Sequence, residues 1–164
     1  MKILGPILIF FALSIPIFAQ VSADANVTAS VIQGLTITNV GTSSIDFGEI
    51  VTSASAQNPT VDPGNGANFE VTGESNHDVT VTFSNVTLND GGSNTMVFTP
   101  SVEHTGTSST YTTGTAVTSG NSYTMGDVSG TGYLYLWAGG SLAVGANQAT
   151  GSYSGTFTVT VAYP

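Results

Sequence analysis

The sequence has 164 residues, no cysteine and a formal net charge of −9, which arises from ten acidic residues against a single basic one, Lys2. This balance excludes nucleic-acid binding, because phosphate contacts need several lysines or arginines, and the lack of cysteine excludes disulfides and thiolate metal sites. Only 7% of the residues are charged, so most of the polar side chains are those of Ser, Thr and Asn. Together with the 20 Gly, these residues favour strands and turns over helices.

The first residues have the pattern of a signal peptide. Lys2 precedes an apolar run over residues 3–18, and Val21-Ser22-Ala23 offers the small residues that signal peptidase reads. We expect residues 1–23 to be removed on export, with cleavage after Ala23, or after Ala19 as the rival site. The run is shorter than the roughly 20 residues of a membrane span. We therefore expect no span in the mature chain, which would contain no Lys or Arg.

The mature part of the sequence is predicted to be all-β. Apolar and polar residues alternate with a period of two between clusters of Gly, Asn, Asp and Pro, and no helical pattern of convincing length is present. Val79, Val81 and Phe83, for example, alternate with hydroxyl residues, as in a strand that buries one face. In chain order, the predicted strands are 29–38, 44–51, 68–72, 79–84, 95–102, 133–137, 141–144 and 153–163.

Turn signals separate these strands. They are Asp62-Pro63-Gly64-Asn65-Gly66, Asn89-Asp90-Gly91-Gly92 and Gly139-Gly140. Short strands with regular turns predict that residues 34–164 form one domain, an immunoglobulin-like antiparallel β-sandwich. The stretch 104–132 is rich in Thr, Ser and Gly, and it is predicted to be a long loop. This loop is either functional or a surface loop without a specific role.

The sequence offers little for catalysis or metal binding. Its two histidines, His77 and His104, each stand beside an acidic residue, but no paired carboxylates or metal-ligand spacing accompany them. The segment around Asp90 also lacks the ligand count of a calcium loop. We therefore expect a protein that is not an enzyme and that holds neither metal nor cofactor. A secreted hydrolase that uses the two histidines is a minor alternative.

Three aromatic residues form a candidate ligand platform. Tyr133, Tyr135 and Trp137 alternate along one predicted strand, so their rings would share one face and could stack on a sugar. The intervening Leu134 and Leu136 make the other face apolar as well. Because at least one face of a sheet must be covered, packing in the core explains the aromatic residues equally well.

The segment before the predicted domain has the pattern of a strand that could be donated to another copy. Ala25, Val27, Ala29 and Val31 are small apolar residues at every second position, before Gln33-Gly34 interrupts the pattern. Strand addition uses backbone bonds for affinity and alternate side chains for selection. Residues 24–33 are thus a candidate donor strand. The alternative is that residues 25–38 form one bent strand of the same domain.

The end of the chain resembles pilin subunits of chaperone–usher systems. These subunits end in an alternating apolar strand with a penultimate tyrosine and a glycine fourteenth from the end, which are Tyr163 and Gly151 here. Residues 142–163 also resemble the ending of a family of bacterial secreted domains of unassigned function. Members of that family share elements similar to Asp46-Phe47-Gly48 and Val61-Asp62-Pro63.

The resemblance implies a sandwich that lacks one strand and receives it from the next subunit. A periplasmic chaperone and an outer-membrane usher would be the partners before assembly. The residues that would line the acceptor groove and the chaperone contact are Gly151, Phe157, Val159, Val161 and Tyr163. The expected function is that of an exported fimbria- or pilus-like subunit, which self-assembles head to tail on the bacterial cell surface and serves adhesion. The alternative is a monomeric secreted sandwich that binds a carbohydrate or surface ligand.

Overall fold

The computed structural model describes residues 22–23 and 25–164, so the predicted signal peptide lies outside the described residues except for Ser22 and Ala23. Ile32–Pro164 is one compact unit. The described residues of the other unit, which ends at Val31, contain no helix or strand. Within the described part of the chain, no helix has the length and hydropathy needed to cross a membrane.

The compact unit is built from antiparallel strands with one short 3₁₀ helix, Pro63–Asn65. The all-β prediction is therefore confirmed. In chain order the strands are β1 (Thr36–Asn39), β2 (Thr60–Val61), β3 (Ala67–Glu74), β4 (Asp78–Thr82), β5 (Val86–Asn89), β6 (Thr95–His104), β7 (Thr115–Val117), β8 (Ser122–Thr124), β9 (Gly126–Val128), β10 (Thr131–Ala143) and β11 (Thr160–Ala162).

The strands form two sheets that share one core. The larger sheet runs in the order β1-β3-β10-β6-β5, with β2 and β9 paired to β10 and β7 paired to β6; the smaller runs β11-β4-β8. Val71 on β3 and Leu134 on β10 pack in one cluster with Val79 and Val81 on β4, and all four are fully buried. Burial of these alternating apolar side chains is the main force that holds the two sheets together.

The predicted turn at Gly139-Gly140 is wrong, because both glycines lie inside β10, the longest strand. A Cβ atom on Gly139 would lie 2.2 Å from the carbonyl oxygen of Val61, and one on Gly140 would lie 2.3 Å from that of Thr99. These glycines therefore allow neighbouring backbones to approach β10 closely, which is the second common use of glycine in a strand.

Other predicted boundaries also differ from the structure. The predicted strand 44–51 is wrong, since those residues are in no strand, and the predicted strands 29–38 and 153–163 shorten to β1 and β11. Before β11, Ser154 bridges Asn89 at the edge of the larger sheet, so the chain passes from one sheet to the other and cannot form one long strand. The predicted loop 104–132 contains β7, β8 and β9.

A candidate strand-accepting groove

Among the strands of the compact unit that pair on one side only in the described structure are β1 and β11. β1 pairs only with β3, and β11 pairs only with β4. The unpaired N–H and C=O groups of such an edge are a template for another strand. Ile37 on β1 and Val161 on β11 contact the same core cluster and are only half-buried. Both edges therefore combine free backbone groups with partly covered apolar side chains.

An open apolar groove begins at the end of β1 and continues past β5. It consists of two cavities of about 360 and 690 Å³, which have Ile45, Phe47 and Leu88 in their common wall. The first cavity is also lined by Phe69, Phe98 and Phe157, and the second by Met96, Leu142, Val144 and Tyr153. We refer to these two cavities together as the groove. Apolar surface makes up slightly more than half of its walls; no charged side chain lines the first cavity, whereas Asp46 and Glu49 line the second.

The structure places the predicted acceptor residues in three different environments. Phe157 lines the first cavity and Gly151 the second. Val159 is buried in the core, with 8% of its surface exposed, so it is already covered by the chain itself. Val161 and Tyr163 pack, half-buried, beside the free edge of β11 rather than in the groove.

Tyr163 joins the end of the compact unit to its beginning. Its hydroxyl accepts a hydrogen bond from the backbone N–H of Glu74 (2.7 Å) and donates one to the carbonyl of Gln33 (2.9 Å). The N–H of Gln33 in turn donates to the carboxylate of Glu74 (2.8 Å). The point at which the chain enters the compact unit is thus held beside the end of β11.

We expect Tyr163→Phe to lower the free energy of unfolding by about 1–2 kcal/mol, because it removes an acceptor from one backbone group and a donor from another. Urea unfolding would measure the loss. Tyr133→Phe is the matched control, since the Tyr133 hydroxyl has no hydrogen-bond partner among the described side chains and backbone. Equal losses in the two variants would contradict the bridging role.

The three rings of the predicted ligand platform are not presented together. Tyr133 and Tyr135 are half-buried, with nearly parallel rings whose centroids are 6.1 Å apart. Trp137 is buried, because Tyr111 packs against it at a centroid distance of 5.3 Å and its indole N–H donates to Thr105 Oγ1 (3.0 Å). Only the two tyrosines are therefore accessible on this face of β10.

Two of the tyrosines are held by carboxylates. The hydroxyl of Tyr135 donates to Glu70 (2.5 Å) and that of Tyr111 to Glu103 (2.6 Å). These hydrogen bonds are the main reason that the pKa of each phenol is raised to about 12, with partial burial adding to the effect. Both hydroxyls consequently remain protonated donors at any physiological pH.

The two histidines lie in separate environments. His77 is exposed just before β4 and contacts the ring of Tyr163, whereas His104, at the end of β6, is half-buried against Tyr123. Burial lowers the pKa of His104, so its neutral form is favoured in the fold.

Among residues 22–23 and 25–164, no group of three or more His, Cys, Asp or Glu side chains is arranged to hold a metal ion.

Residues 43–52, which we call the strap, form part of the groove wall that the sequence analysis did not identify. Ile45, Phe47 and Ile50 are half-buried, although the segment is not a strand. They pack against a second core cluster of buried residues, Met96, Phe98, Leu142 and Val144. The signal in the sequence is the alternation of Ile45 and Phe47, which is broken before Ile50 by Gly48 with a φ of 63°. The prediction of a strand over residues 44–51 did not take this interruption into account.

The predicted donor residues lie in the other unit, where residues 25–31, which we call the extension, have no regular structure. Val27 and Val31 are 93% and 95% exposed. The two larger apolar side chains of the alternating pattern are thus fully available to solvent.

Comparison with known proteins gives a family without an assigned function. No protein of established function matches the chain significantly in sequence. The family model described as Domain of unknown function (DUF4402) matches residues 26–163, which include all but the first residue of the extension and almost all of the compact unit. The resemblance to a family of unassigned function is thereby confirmed, and the chain belongs to the DUF4402 family.

Proposed function

We propose that the protein is an exported structural subunit of a fimbria- or pilus-like filament on the bacterial cell surface. In this proposal the extension of one copy adds to a free sheet edge of the next copy and places its apolar side chains in the groove. The observation that carries the proposal is the open groove, partly lined by apolar side chains, which begins at the end of β1, a strand with an unpaired edge. A head-to-tail contact of this kind does not close, so it produces a filament.

The groove and the extension are chemically matched. The groove is lined by half-buried apolar side chains such as Leu88 and Phe157. The extension presents Ala25, Val27, Ala29 and Val31 at every second position, and its two valines are almost fully exposed. Burying one exposed valine side chain contributes about 1.5–3 kcal/mol. A donated strand would add main-chain hydrogen bonds to this gain.

The rest of the proposal extends the pilin resemblance of the C-terminal strand. The compact unit would be an immunoglobulin-like sandwich that is completed by the donated strand. A periplasmic chaperone would cover the groove until an outer-membrane usher delivers the subunit. Without cysteine no disulfide supports the fold, so stability comes from packing and from the donated strand, which contributes only after assembly.

Removal of the extension tests the proposal. We expect the chain from residue 24 to give a ladder of assemblies on an SDS gel when unheated and a single monomer band when boiled. A chain that starts at Ile32 should give only monomer, because it has a groove but no strand to donate. It should still bind a synthetic peptide of residues 25–33. Ladders of unchanged length from the shortened chain would contradict the proposal.

The stacked pair Tyr133 and Tyr135 favours the second candidate function, a monomeric secreted protein that binds a carbohydrate or surface ligand. Parallel, partly accessible aromatic rings can stack on a sugar, and the neighbouring carboxylate can accept hydrogen bonds from its hydroxyls. This candidate requires a monomer at every protein concentration, together with binding in a glycan screen.

A further inference from the structure

We propose that the strap, residues 43–52, is a provisional wall of the groove, which an incoming extension from a second copy displaces. The inference rests on the proposed function and assigns a role to Asp46-Phe47-Gly48. Three observations carry it: the side chains of the strap line the groove and cover buried residues of β6 and β10, its backbone is unpaired, and a fixed kink keeps it from becoming a strand.

The side chains of the strap cover the second core cluster. Phe47 lines both cavities and meets the ring of Phe98 edge-on, with centroids 5.9 Å apart. Ile45 also lines both cavities and Ile50 lines the second. These contacts shield Phe98 and Met96 of β6 from water in the unassembled subunit.

The backbone of the strap makes no hydrogen bond to the backbone of any other described segment. Backbone bonds to Asn68 and Asn147 anchor the chain immediately outside it, through the carbonyls of Thr42 and Ser53 (3.1 and 2.6 Å). Between these anchors, the hydrogen bond from the Thr52 hydroxyl to the carbonyl of Gln148 (3.2 Å) is the only one that joins the strap to a described backbone group outside it. Displacing the strap therefore breaks no strand ladder, and its ends remain attached.

The kink at Gly48 makes the strap a poor strand. Gly48 has a left-handed φ of 63°, and its N–H donates to the Asp46 carboxylate (2.8 Å), which stabilises the turn. A Cβ atom at Gly48 would meet nothing within 4 Å, so the backbone angle rather than space explains the glycine. The alternation of Ile45 and Phe47 stops there, whereas the alternation of the extension runs without a break from Ala25 to Val31.

The exchange replaces contacts made by side chains alone with contacts made by side chains and backbone. A regular strand that enters the groove gains ladder hydrogen bonds, which the strap lacks, along with burial of its own apolar residues. The strap thus covers the core of the unassembled subunit, and it is displaced by a strand in which apolar and polar residues alternate regularly. Its role is a reversible protection of the acceptor site until a second copy arrives.

Thiol labelling tests the displacement, and the absence of natural cysteine makes each probe unique. Phe47→Cys and Ile50→Cys would report on the strap in the monomeric fraction of the chain from residue 24. Val51→Cys, at an 81% exposed position of the same strap, is the always-accessible control, and Val81→Cys, at a fully buried position, is the core control. A peptide of residues 25–33 is added in excess, and its binding is measured separately by native mass spectrometry.

We expect the peptide to bind and to accelerate labelling at positions 47 and 50 by about tenfold or more, with no change at 51 or 81. Before the peptide is added, positions 47 and 50 should label faster than position 81, because the strap opens without global unfolding. Peptide binding without faster labelling at 47 and 50 would overturn the displacement and leave the proposed function standing. Absence of peptide binding would overturn both.

Discussion

Substituting both Val27→Asp and Val31→Asp is expected to abolish head-to-tail association. In the proposed assembly both side chains enter an apolar groove, and the only Lys or Arg in the sequence is Lys2, so no basic side chain can pair with the new carboxylates. If each unpaired carboxylate costs about 2 kcal/mol or more on burial, and each factor of ten requires about 1.4 kcal/mol, association weakens by about 1000-fold or more. SDS gels and analytical ultracentrifugation would measure the change.

The control for this experiment adds the same charge on the opposite face of the extension. Asn26→Asp together with Ser30→Asp also introduces two carboxylates, at exposed positions that would face solvent in a donated strand. We expect this variant to assemble almost as well as the unaltered chain. Equal inhibition by the two pairs would show that net repulsion, and not burial of one face, governs association, and the strand-addition proposal would then be abandoned.

Gly139→Ala is expected to lower the free energy of unfolding by about 3 kcal/mol, the upper end of the usual cost of overpacking, because the clash is with backbone. A Cβ atom at this buried position would lie 2.2 Å from the carbonyl oxygen of Val61 and 2.7 Å from the nitrogen of Pro63. Both are backbone atoms, so no rotation of a side chain relieves the clash. β2 or the Pro63–Asn65 turn must move away from β10.

Chemical unfolding would measure this loss, with Gly34→Ala as the matched control. Nothing lies within 4 Å of a Cβ atom at Gly34, and its position is exposed. We therefore expect the control to change stability by no more than about 0.5 kcal/mol. A Gly139→Ala protein as stable as the control would mean that β2 does not pack on β10 as described.

The sequence alone was sufficient to predict a strand where alternating apolar residues are also the residues that the fold buries. β3, β4 and β6 match the predicted strands within a few residues, because each alternates apolar and polar residues and each buries one face. The same rule placed Leu134 and Leu136 on the opposite face of β10 from the tyrosines, but only the structure showed that the leucine face is the fully buried one. The family resemblance could also be recognised from the sequence, since each of its motifs is a run of contiguous residues, such as Asp46-Phe47-Gly48.

Only the tertiary structure decided the features that depend on distant neighbours. Gly139-Gly140 has the pattern of a turn, but β2 and β6 approach it so closely that it continues β10. Trp137 alternates with two accessible tyrosines, but Tyr111 covers it. Residues 43–52 alternate like a strand in part, yet their backbone forms no hydrogen bond with the backbone of any described strand. A local pattern records which side chains prefer burial, whereas the partner that buries them or pairs with their backbone is set by the packing of the whole chain.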